Sequence, residues 1–355
     1  MLYEALNNAS IADNQLGTLI SGEELRAAVI APTGVEIENV TQPQAGPTGV
    51  VVRVHAAGLN RADIHSVHLG RKTHENSSTT GSDRLPAIIG GEFAGEVVQV
   101  GADVHGFGIG DRVMGLGFGA HAEFAIADAG CLYQVPNDMD YRDAAALPVA
   151  LLTSYNALLL AGKFCRGEAV LIHGASSAVG LMALQIARAV GASVVVGTSM
   201  TASRRSRLVD YGADVAVDSA RPGWPSEVLA ATGGQGADLI IDHVAGTGFN
   251  STMAAASVGG RVVNVGRLGG KRGAFDFDLH ALKRLDYVGA TFRTLTLHDY
   301  RAITAGIQSE LWSAVVRGQL TMPIDRTFSL DRAADAYTYM AHDEYFGKIL
   351  ITPVT

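Results

Sequence analysis

The run AVLIHGASSAVGLMALQIARAVG, residues 169–191, sets the predicted fold class of the chain. An apolar strand-like run, AVLI, leads into the turn HGASSAVG, and a helical pattern follows until Gly191, a residue type that commonly ends a helix. Strand, tight turn and helix in this order direct free N–H groups and the positive end of a helix dipole toward an anion. The apolar helix positions are Val179, Met182, Ala183, Ile186, Ala187 and Val190, with Gln185 and Arg188 outside them.

The sequence on either side indicates two domains. Residues 26–145 hold short β-rich runs separated by glycine and proline, which is typical of a mostly β domain. Across 146–290, apolar runs alternate with helical patterns, which predicts a doubly wound parallel sheet. In 291–355 we expect a helix around 300–317 and a last strand, GKILITP, that returns to the first domain. Residues 1–25 are interpreted as an N-terminal extension.

The composition fits a globular protein without a nucleic-acid partner. Hydrophobic residues make up 48% of the 355 residues and charged residues 17%, as in folded chains. The net charge of −8 disfavours nucleic-acid binding, because such proteins need a basic face. Two cysteines, Cys131 and Cys165, are too few for a disulfide framework or a four-thiolate zinc site.

We expect a cytoplasmic protein with no membrane partner. The first residues lack a basic segment followed by an apolar run, which is the pattern of a signal peptide. Residues 144–162 carry no charge and approach the length of a membrane span. Polar residues and Pro148 interrupt this segment, so a buried helix is the favoured interpretation.

The turn at 174–180 departs from the dinucleotide fingerprint G-x-G-x-x-G. Ending the motif at Gly180 puts Ala175 and Ser177 where its first two glycines would be. The next strand ends near Thr198, where an NAD-preferring site would carry an acidic residue. The sequence there is TSMTASRRSR, without a carboxylate. A basic cluster at this point favours NADP over a merely solvated helix start, and the residues that can meet a 2′-phosphate are Ser199, Arg204 and Arg205.

Several further segments occur in a recognisable order. AAGLNRAD at 56–63 precedes GGEFAGEVVQVG at 90–101, and LPVALLTSYNALL at 147–159 precedes the glycine turn. GDRVMG, GAHAEF and GKILI complete the series. Together these segments resemble the medium-chain dehydrogenase/reductase superfamily, in its zinc-independent quinone oxidoreductase branch.

The resemblance implies an α/β architecture of two domains. A GroES-like, mostly β catalytic domain is expected from 26–145 and 291–355, with a Rossmann NADP-binding domain at 146–290, a cleft between them and a homodimer. The zinc-dependent branch has a cysteine after the third strand and a G-H-E motif, where this sequence has Asn60 and Gly91. Without these ligands, no catalytic zinc is expected.

The resemblance also assigns roles to individual residues. Asn60 is expected to contact the nicotinamide or the substrate. His65 stands where related enzymes often carry a tyrosine, so it either donates a proton, orients a carbonyl or only shapes the cleft. Arg267 and Arg293 are alternatively ordinary salt-bridge partners. The remaining expected cofactor-binding residues are Thr153, Gly174, Ala175, Ser177, Ala178, Val179, Gly180, Val265, Gly266 and Phe292.

The predicted activity is NADPH-dependent hydride transfer to a quinone or an α,β-unsaturated carbonyl compound, without metal. A non-catalytic NADPH-binding protein with a redox-sensing or structural role is the alternative, because fold does not prove chemistry. A short-chain dehydrogenase is disfavoured, because no tyrosine is followed by lysine four residues later. Specificity for the small-molecule acceptor is expected from the cleft and from the polar loop at 72–83.

Overall fold

The computed structural model describes residues 17–64 and 88–353, with side chains from residue 24 onward. The chain divides into two compact units. The first contains the residues up to Val149, Phe292–Gln308 and those from Pro323. The second contains Ala150–Thr291 and Ser309–Met322.

The strands of the described residues are β1 (Gly17–Ala31), β2 (Gly34–Ala45), β3 (Gly49–Gly58), β4 (Glu92–Val100), β5 (Arg112–Leu116), β6 (Phe124–Asp128), β7 (Leu132–Gln134), β8 (Ala169–His173), β9 (Val194–Thr198), β10 (Val215–Val217), β11 (Ala237–Asp242), β12 (Ala256–Asn264), β13 (Asp286–Gly289), β14 (Ile324–Ser329) and β15 (Lys348–Thr352). The helices are α1 (Tyr141–Ala145), α2 (Pro148–Tyr155), α3 (Ala178–Ala189), α4 (Ala202–Arg205), α5 (Trp224–Ala231), α6 (Phe249–Ala255), α7 (Phe277–Lys283), α8 (Leu297–Glu310), α9 (Trp312–Val316) and α10 (Ala333–Ala341). A π-helical segment, Asn156–Ala161, continues α2.

The first unit is built on a seven-stranded sheet, which confirms the predicted mostly β domain. Its strand order is β14-β15-β3-β4-β5-β7, with β6 also paired to β3. The last strand pairs antiparallel with β3, where Leu350 lies opposite Gly58. The prediction that GKILITP returns to the first domain is therefore confirmed. Inward-facing Val50, Val52 and Phe93 are fully buried in its core.

The second unit contains a six-stranded parallel sheet in the order β10-β9-β8-β11-β12-β13. Numbered from β8, this order is 3-2-1-4-5-6, that of a dinucleotide-binding Rossmann fold. The direction of strand addition reverses between β8 and β11. In such sheets ligands bind outside the carboxyl ends of the strands at this reversal. The predicted doubly wound fold is confirmed.

Helix α3 is buried more completely than its sequence indicates. The side chain of Gln185, which falls outside the predicted apolar face, is only 8% exposed. Its Oε1 accepts from the N–H of Thr321 at 2.9 Å and its Nε2 donates to the Thr321 carbonyl at 2.9 Å. A glutamine amide can satisfy both backbone groups of one residue, so a polar side chain is retained in this interface.

The unit boundaries differ from the sequence prediction at two places. Strand β1 begins at Gly17, inside the segment interpreted as an extension, because it pairs with β2 from Gly17 opposite Ala45. Residues 309–322 belong to the second unit, whereas we expected them in the first. The Gln185 contacts and the hydrogen bond from Tyr155 to Glu310, at 2.8 Å, explain this assignment. The predicted helix around 300–317 is two helices, α8 and α9, separated at Leu311.

The apolar segment at 144–162 forms α1, α2 and the π-helical segment. In the described part of the chain, the helical stretch Tyr141–Ala161 is long and apolar enough to cross a membrane, and 67% of its most apolar window is buried inside the protein. Helix α2 begins at Pro148, where proline fits the first helical position. The segment has the burial of a core helix.

Candidate functional site

The glycine turn closes through a serine cap and a close backbone approach. Gly174 has φ +83°, a left-handed conformation that glycine adopts without strain. Ser177 is the N-cap of α3, and its hydroxyl accepts from the N–H of Gly180 at 3.1 Å. A Cβ at Gly180 would lie 2.7 Å from the backbone of Ala175. The last fingerprint glycine is therefore needed for strand–helix packing, while the serine replaces a glycine as a capping residue.

Thr198 fastens this turn to the end of β9. Its hydroxyl accepts from the N–H of Gly174 at 3.0 Å and donates to Nδ1 of His173 at 2.8 Å. Its carbonyl accepts from the N–H of Ala175 at 2.8 Å. Burial lowers the pKa of His173 to about 4, so the imidazole is neutral and its Nδ1 can accept. The ring stacks on Trp224 at 4.9 Å.

The start of α3 has the geometry of an anion site. The first amides of a helix have no acceptor within it, and here they belong to Ala178 and Val179, both partly exposed. Ser154, on α2, donates to the carbonyl of Val179 at 2.9 Å, which places its neighbour Thr153 close to this turn. A diphosphate fits such a cradle of backbone N–H groups.

The residues predicted to bind a 2′-phosphate gather after β9. Ser199 donates to the hydroxyl of Ser176 at 3.2 Å, and Arg205 donates to the Ser199 carbonyl at 2.9 Å. Arg205 also forms an ion pair with Asp218 at 3.3 Å. Arg204 is partly exposed in the same short helix. Sequence reasoning missed Asp218, whose signal is its place directly after β10.

Two buried polar residues end β11 beside the turn. Oδ1 of Asp242 accepts from the N–H groups of Val244 and Ala245, at 2.8 and 3.0 Å. Among the described residues, Oδ2 of Asp242 and Nε2 of His243 have no hydrogen-bonding partner. Burial raises the pKa of Asp242 and lowers that of His243 to about 4. Both were missed, although polar residues ending a strand next to the reversal point are a usable signal.

The segment after β12 lies against these residues. The N–H groups of Val265 and Gly266 both donate to the Asp242 carbonyl, at 2.9 and 3.1 Å. A side chain at Gly266 would run into the His243 carbonyl, so only glycine fits. Arg267 is exposed and lines a cavity of about 180 Å³. The structure thus brings the predicted residues of the second unit to one edge of the sheet.

In the first unit, Asn60 belongs to a buried polar cluster. Its Nδ2 donates to Oε1 of Glu92 at 2.7 Å, and its Oδ1 accepts from Nζ of Lys348 at 2.8 Å. Glu92 and Lys348 also form an ion pair, with side chains 0% and 2% exposed. The backbone N–H of Asn60 donates to Asp63 at 2.8 Å, and burial raises the pKa of Asp63 to about 7. Sequence reasoning found Asn60 but not these partners.

The other predicted residues of the first unit are less informative. Phe292 stacks on Tyr300 at 5.7 Å, and its carbonyl accepts from the Tyr300 hydroxyl at 3.1 Å. Arg293 is exposed. His65 and the loop at 72–83 lie outside the described residues. Over 17–64 and 88–353, no group of three or more histidine, cysteine or acidic side chains has the arrangement to hold a metal ion.

Two family models match the chain. The model described as alcohol dehydrogenase GroES-like domain matches residues 46–137, and the model described as zinc-binding dehydrogenase matches residues 178–309.

The chain is also similar to named proteins. Quinone oxidoreductase-like protein 2 of Bos taurus is 30% identical over 334 residues, which cover 93% of each chain. A phenolphthiocerol/phthiocerol polyketide synthase of Mycobacterium tuberculosis is 30% identical over 351 residues, and the chain spans only 16% of its length. The solved structure of mycobacterial Rv1454c complexed with NADPH is 25% identical with a TM-score of 0.78, over 93% of this chain and 100% of that one.

Proposed function

The chain belongs to the medium-chain dehydrogenase/reductase superfamily, in its quinone oxidoreductase-like branch, and we propose that it transfers hydride from NADPH to an electron-poor carbonyl compound. The observation that carries this proposal is the capped turn at 174–180, placed at the reversal point of a Rossmann sheet. An oxidoreductase of this family needs a nicotinamide cofactor, and the turn fits its diphosphate.

We propose that the cofactor lies along the edge described above. Gly174, Ala175, Ser177 and the first amides of α3 would hold the diphosphate. Bound there, the nicotinamide supplies the hydride. The remaining second-unit positions proposed for it are Thr153, Ala178, Val179, Gly180, Val265, Gly266 and Arg267, and those of the first unit are Asn60, Phe292 and Arg293.

The preference for NADPH over NADH rests on the basic cluster after β9. Ser199, Arg204 and Arg205 offer hydrogen bonds and positive charge to a 2′-phosphate. Asp218 holds Arg205 at this place through their ion pair. The solved NADPH complex of a similar protein supports the same cofactor.

The acceptor is proposed to be a quinone or an α,β-unsaturated carbonyl compound, reduced without metal. The donor set argues for this class, because Asn60 stands where a thiolate ligand would be needed and Glu92 is committed to Lys348. A conjugated carbonyl is already polarised and needs less electrostatic help than a simple alcohol. The Bos taurus relative carries a quinone oxidoreductase-like name. His65 is retained as a candidate for orienting the carbonyl.

We further propose a cytoplasmic homodimer. The edge strand β13 carries Tyr287, whose side chain is 48% exposed, and the neighbouring α7 exposes Phe277. An edge strand flanked by exposed aromatic side chains is suited to pairing with another chain.

The activity is tested by mixing purified protein with NADPH and a panel of quinones and enones, and following the loss of reduced cofactor. We expect oxidation of NADPH with at least one class of acceptor and a strong loss of rate in Asn60→Ala. Tight binding of NADPH without oxidation across the panel would instead support a non-catalytic, redox-sensing or structural protein.

A further inference from the structure

A lysine is buried beside the predicted site residue Asn60. The side chain of Lys348, the first residue of β15, is 2% exposed. Its ammonium contacts the carboxylate of Glu92, donates to Oδ1 of Asn60 at 2.8 Å and reaches the carbonyl of Leu59 at 3.4 Å. The three contacts supply one acceptor for each of its three N–H bonds.

Stability alone is a poor explanation for this ion pair. Removing two charges from water costs several kcal/mol per ion, and apolar residues of similar volume often serve a core equally well. The fold nevertheless makes room for the charges. A side chain at Gly58 would run into Oε1 of Glu92. The other carboxylate oxygen, Oε2, accepts from the N–H of Val149 at 2.8 Å, at the start of α2.

The pair fixes the orientation of the Asn60 carboxamide. An ammonium has no acceptor, so Oδ1 and not Nδ2 must face Lys348. An ionised carboxylate has no donor, so Nδ2 must face Glu92. A flipped amide would place like groups together on both sides. Asn60 is thereby held as a donor with one Nδ2 hydrogen already bound.

The second Nδ2 hydrogen is available to a ligand. Over the described stretches 17–64 and 88–353, no acceptor takes it, and Asn60 is only partly buried. The backbone of the same residue is fixed as well, because its N–H donates to Asp63. Behind it, His121 contacts the Gly58 carbonyl at 3.3 Å and the hydroxyl of Tyr337 at 2.8 Å. The carboxamide is therefore anchored on a rigid base.

The ammonium also strengthens this donor. A positive charge at the amide oxygen draws electron density from the nitrogen, which makes the remaining N–H a better hydrogen-bond donor, and a low local dielectric increases the effect. Donors fixed before reaction stabilise charge that develops on an oxygen. In the reduction of a conjugated carbonyl, hydride adds to carbon and negative charge grows on the carbonyl oxygen. Protonation of the resulting enolate or hydroquinone anion then completes the reduction.

We propose that Lys348 is a positioning residue that acts through Asn60, holding and polarising its carboxamide so that the free Nδ2–H donates to the carbonyl oxygen of the acceptor. The proposal rests on the proposed function. It assigns to Lys348 a role in the reduction in addition to its place in the core.

A double-mutant cycle tests this dependence. We would measure kcat and kcat/KM for Asn60→Ala, Lys348→Met and the double variant, each with a quinone and with an enone. Each single change should lower kcat by about 10- to 100-fold, with the greater loss for the enone, the weaker electrophile. The double variant should be no slower than Asn60→Ala, because Lys348 has no other route to the acceptor. The Kd for NADPH should change less than about twofold.

The control is Lys283→Met, which removes a partly buried lysine that donates to the Ala254 carbonyl at 2.7 Å in the second unit. It should leave kcat within about twofold of the parent value. If Lys348→Met does not fold, Asn60→Asp serves instead, because a carboxylate still accepts from Lys348 but has no N–H. This variant should lose turnover and keep its affinity for NADPH.

The outcomes separate the two proposals. Multiplicative losses in the double variant, equal losses for both acceptors, or full turnover by Asn60→Asp would overturn the role of Lys348 while leaving the reductase activity intact. A parent protein that oxidises no NADPH with any acceptor would overturn the proposed function itself, and the role of Lys348 with it.

Discussion

The hydroxyl of Ser177 accepts from the N–H of Gly180 at 3.1 Å and caps the helix that follows the first strand of the nucleotide sheet. This contact satisfies one of the N–H groups at the helix start and leaves its neighbours directed outward. The same turn brings Gly180 against the backbone of Ala175, where a Cβ would lie at 2.7 Å. The cap and the close packing together hold the turn in the form that suits a diphosphate.

Gly180→Ala should weaken NADPH binding by about tenfold or more, because the new methyl group must push the helix start away from Ala175. Titration calorimetry measures the effect. The matched control is Gly248→Ala, at a position where a Cβ has open space, and it should keep the parent Kd. Equal affinities for the parent and Gly180→Ala would show that the diphosphate lies elsewhere.

Arg204→Glu should lower the preference for NADPH over NADH by about tenfold or more, since it places negative charge where the 2′-phosphate is expected. The ratio of kcat/KM for the two cofactors reports this preference. Arg188→Glu is the charge-matched control, because Arg188 is paired with Asp214 in the same unit. An unchanged ratio in Arg204→Glu would remove the basic cluster from the account of cofactor choice.

Arg301→Met should destabilise the protein by about 2 kcal/mol, because it leaves the buried carboxylate of Asp128 without its cation. Arg301 binds Asp128 through two nitrogen atoms, at 2.7 and 2.6 Å. Arg332→Met breaks an exposed ion pair with Asp335 and should cost less than about 1 kcal/mol. Urea unfolding of both variants makes the comparison, and similar costs would argue against a special role for the buried pair.

His243→Gln should make the protein less sensitive to acid. Burial lowers the pKa of His243 to about 4 in the folded protein, from an ordinary value of 6.5. Below about pH 6.5 the unfolded chain therefore binds a proton that the folded one does not, and stability is lost as the pH falls toward 4. Between pH 7.5 and 5, this histidine accounts for about 2 kcal/mol of lost stability.

The free energy of unfolding in urea at these two pH values measures the loss. The difference between them should shrink by about that amount in His243→Gln, whereas His105→Gln, a change at an exposed histidine, should match the parent. An unchanged difference in His243→Gln would mean that the folded protein accommodates a charged imidazole.

Local sequence patterns were sufficient for the architecture of the second unit. The apolar run at 169–172 and the helical period after Ser177 predict β8 and α3, and both are present. Strands that are apolar on both faces predict a parallel sheet with helices on each side. The order of the landmark segments then implies that the final strand returns to the first domain, as β15 does.

Partners distant in the chain were not predictable in this way. Lys348 lies 288 residues from Asn60 and 256 from Glu92, and no local period connects them. Asp218 reaches Arg205 only because β10 is placed beside β9 in the sheet. The burial of Gln185 likewise depends on Thr321, in a segment that we had expected in the other unit. Such contacts follow from topology, which hydrophobic patterning does not specify.

Calorimetric titration of the purified protein with NADPH tests the central claim most directly. The account predicts binding at one site per chain, with NADPH bound at least about tenfold more tightly than NADH, and weakening of that binding in Gly180→Ala. Absence of binding heat with NADPH, NADP⁺, NADH and NAD⁺ alike, supported by no protection of the protein against thermal unfolding, would contradict it.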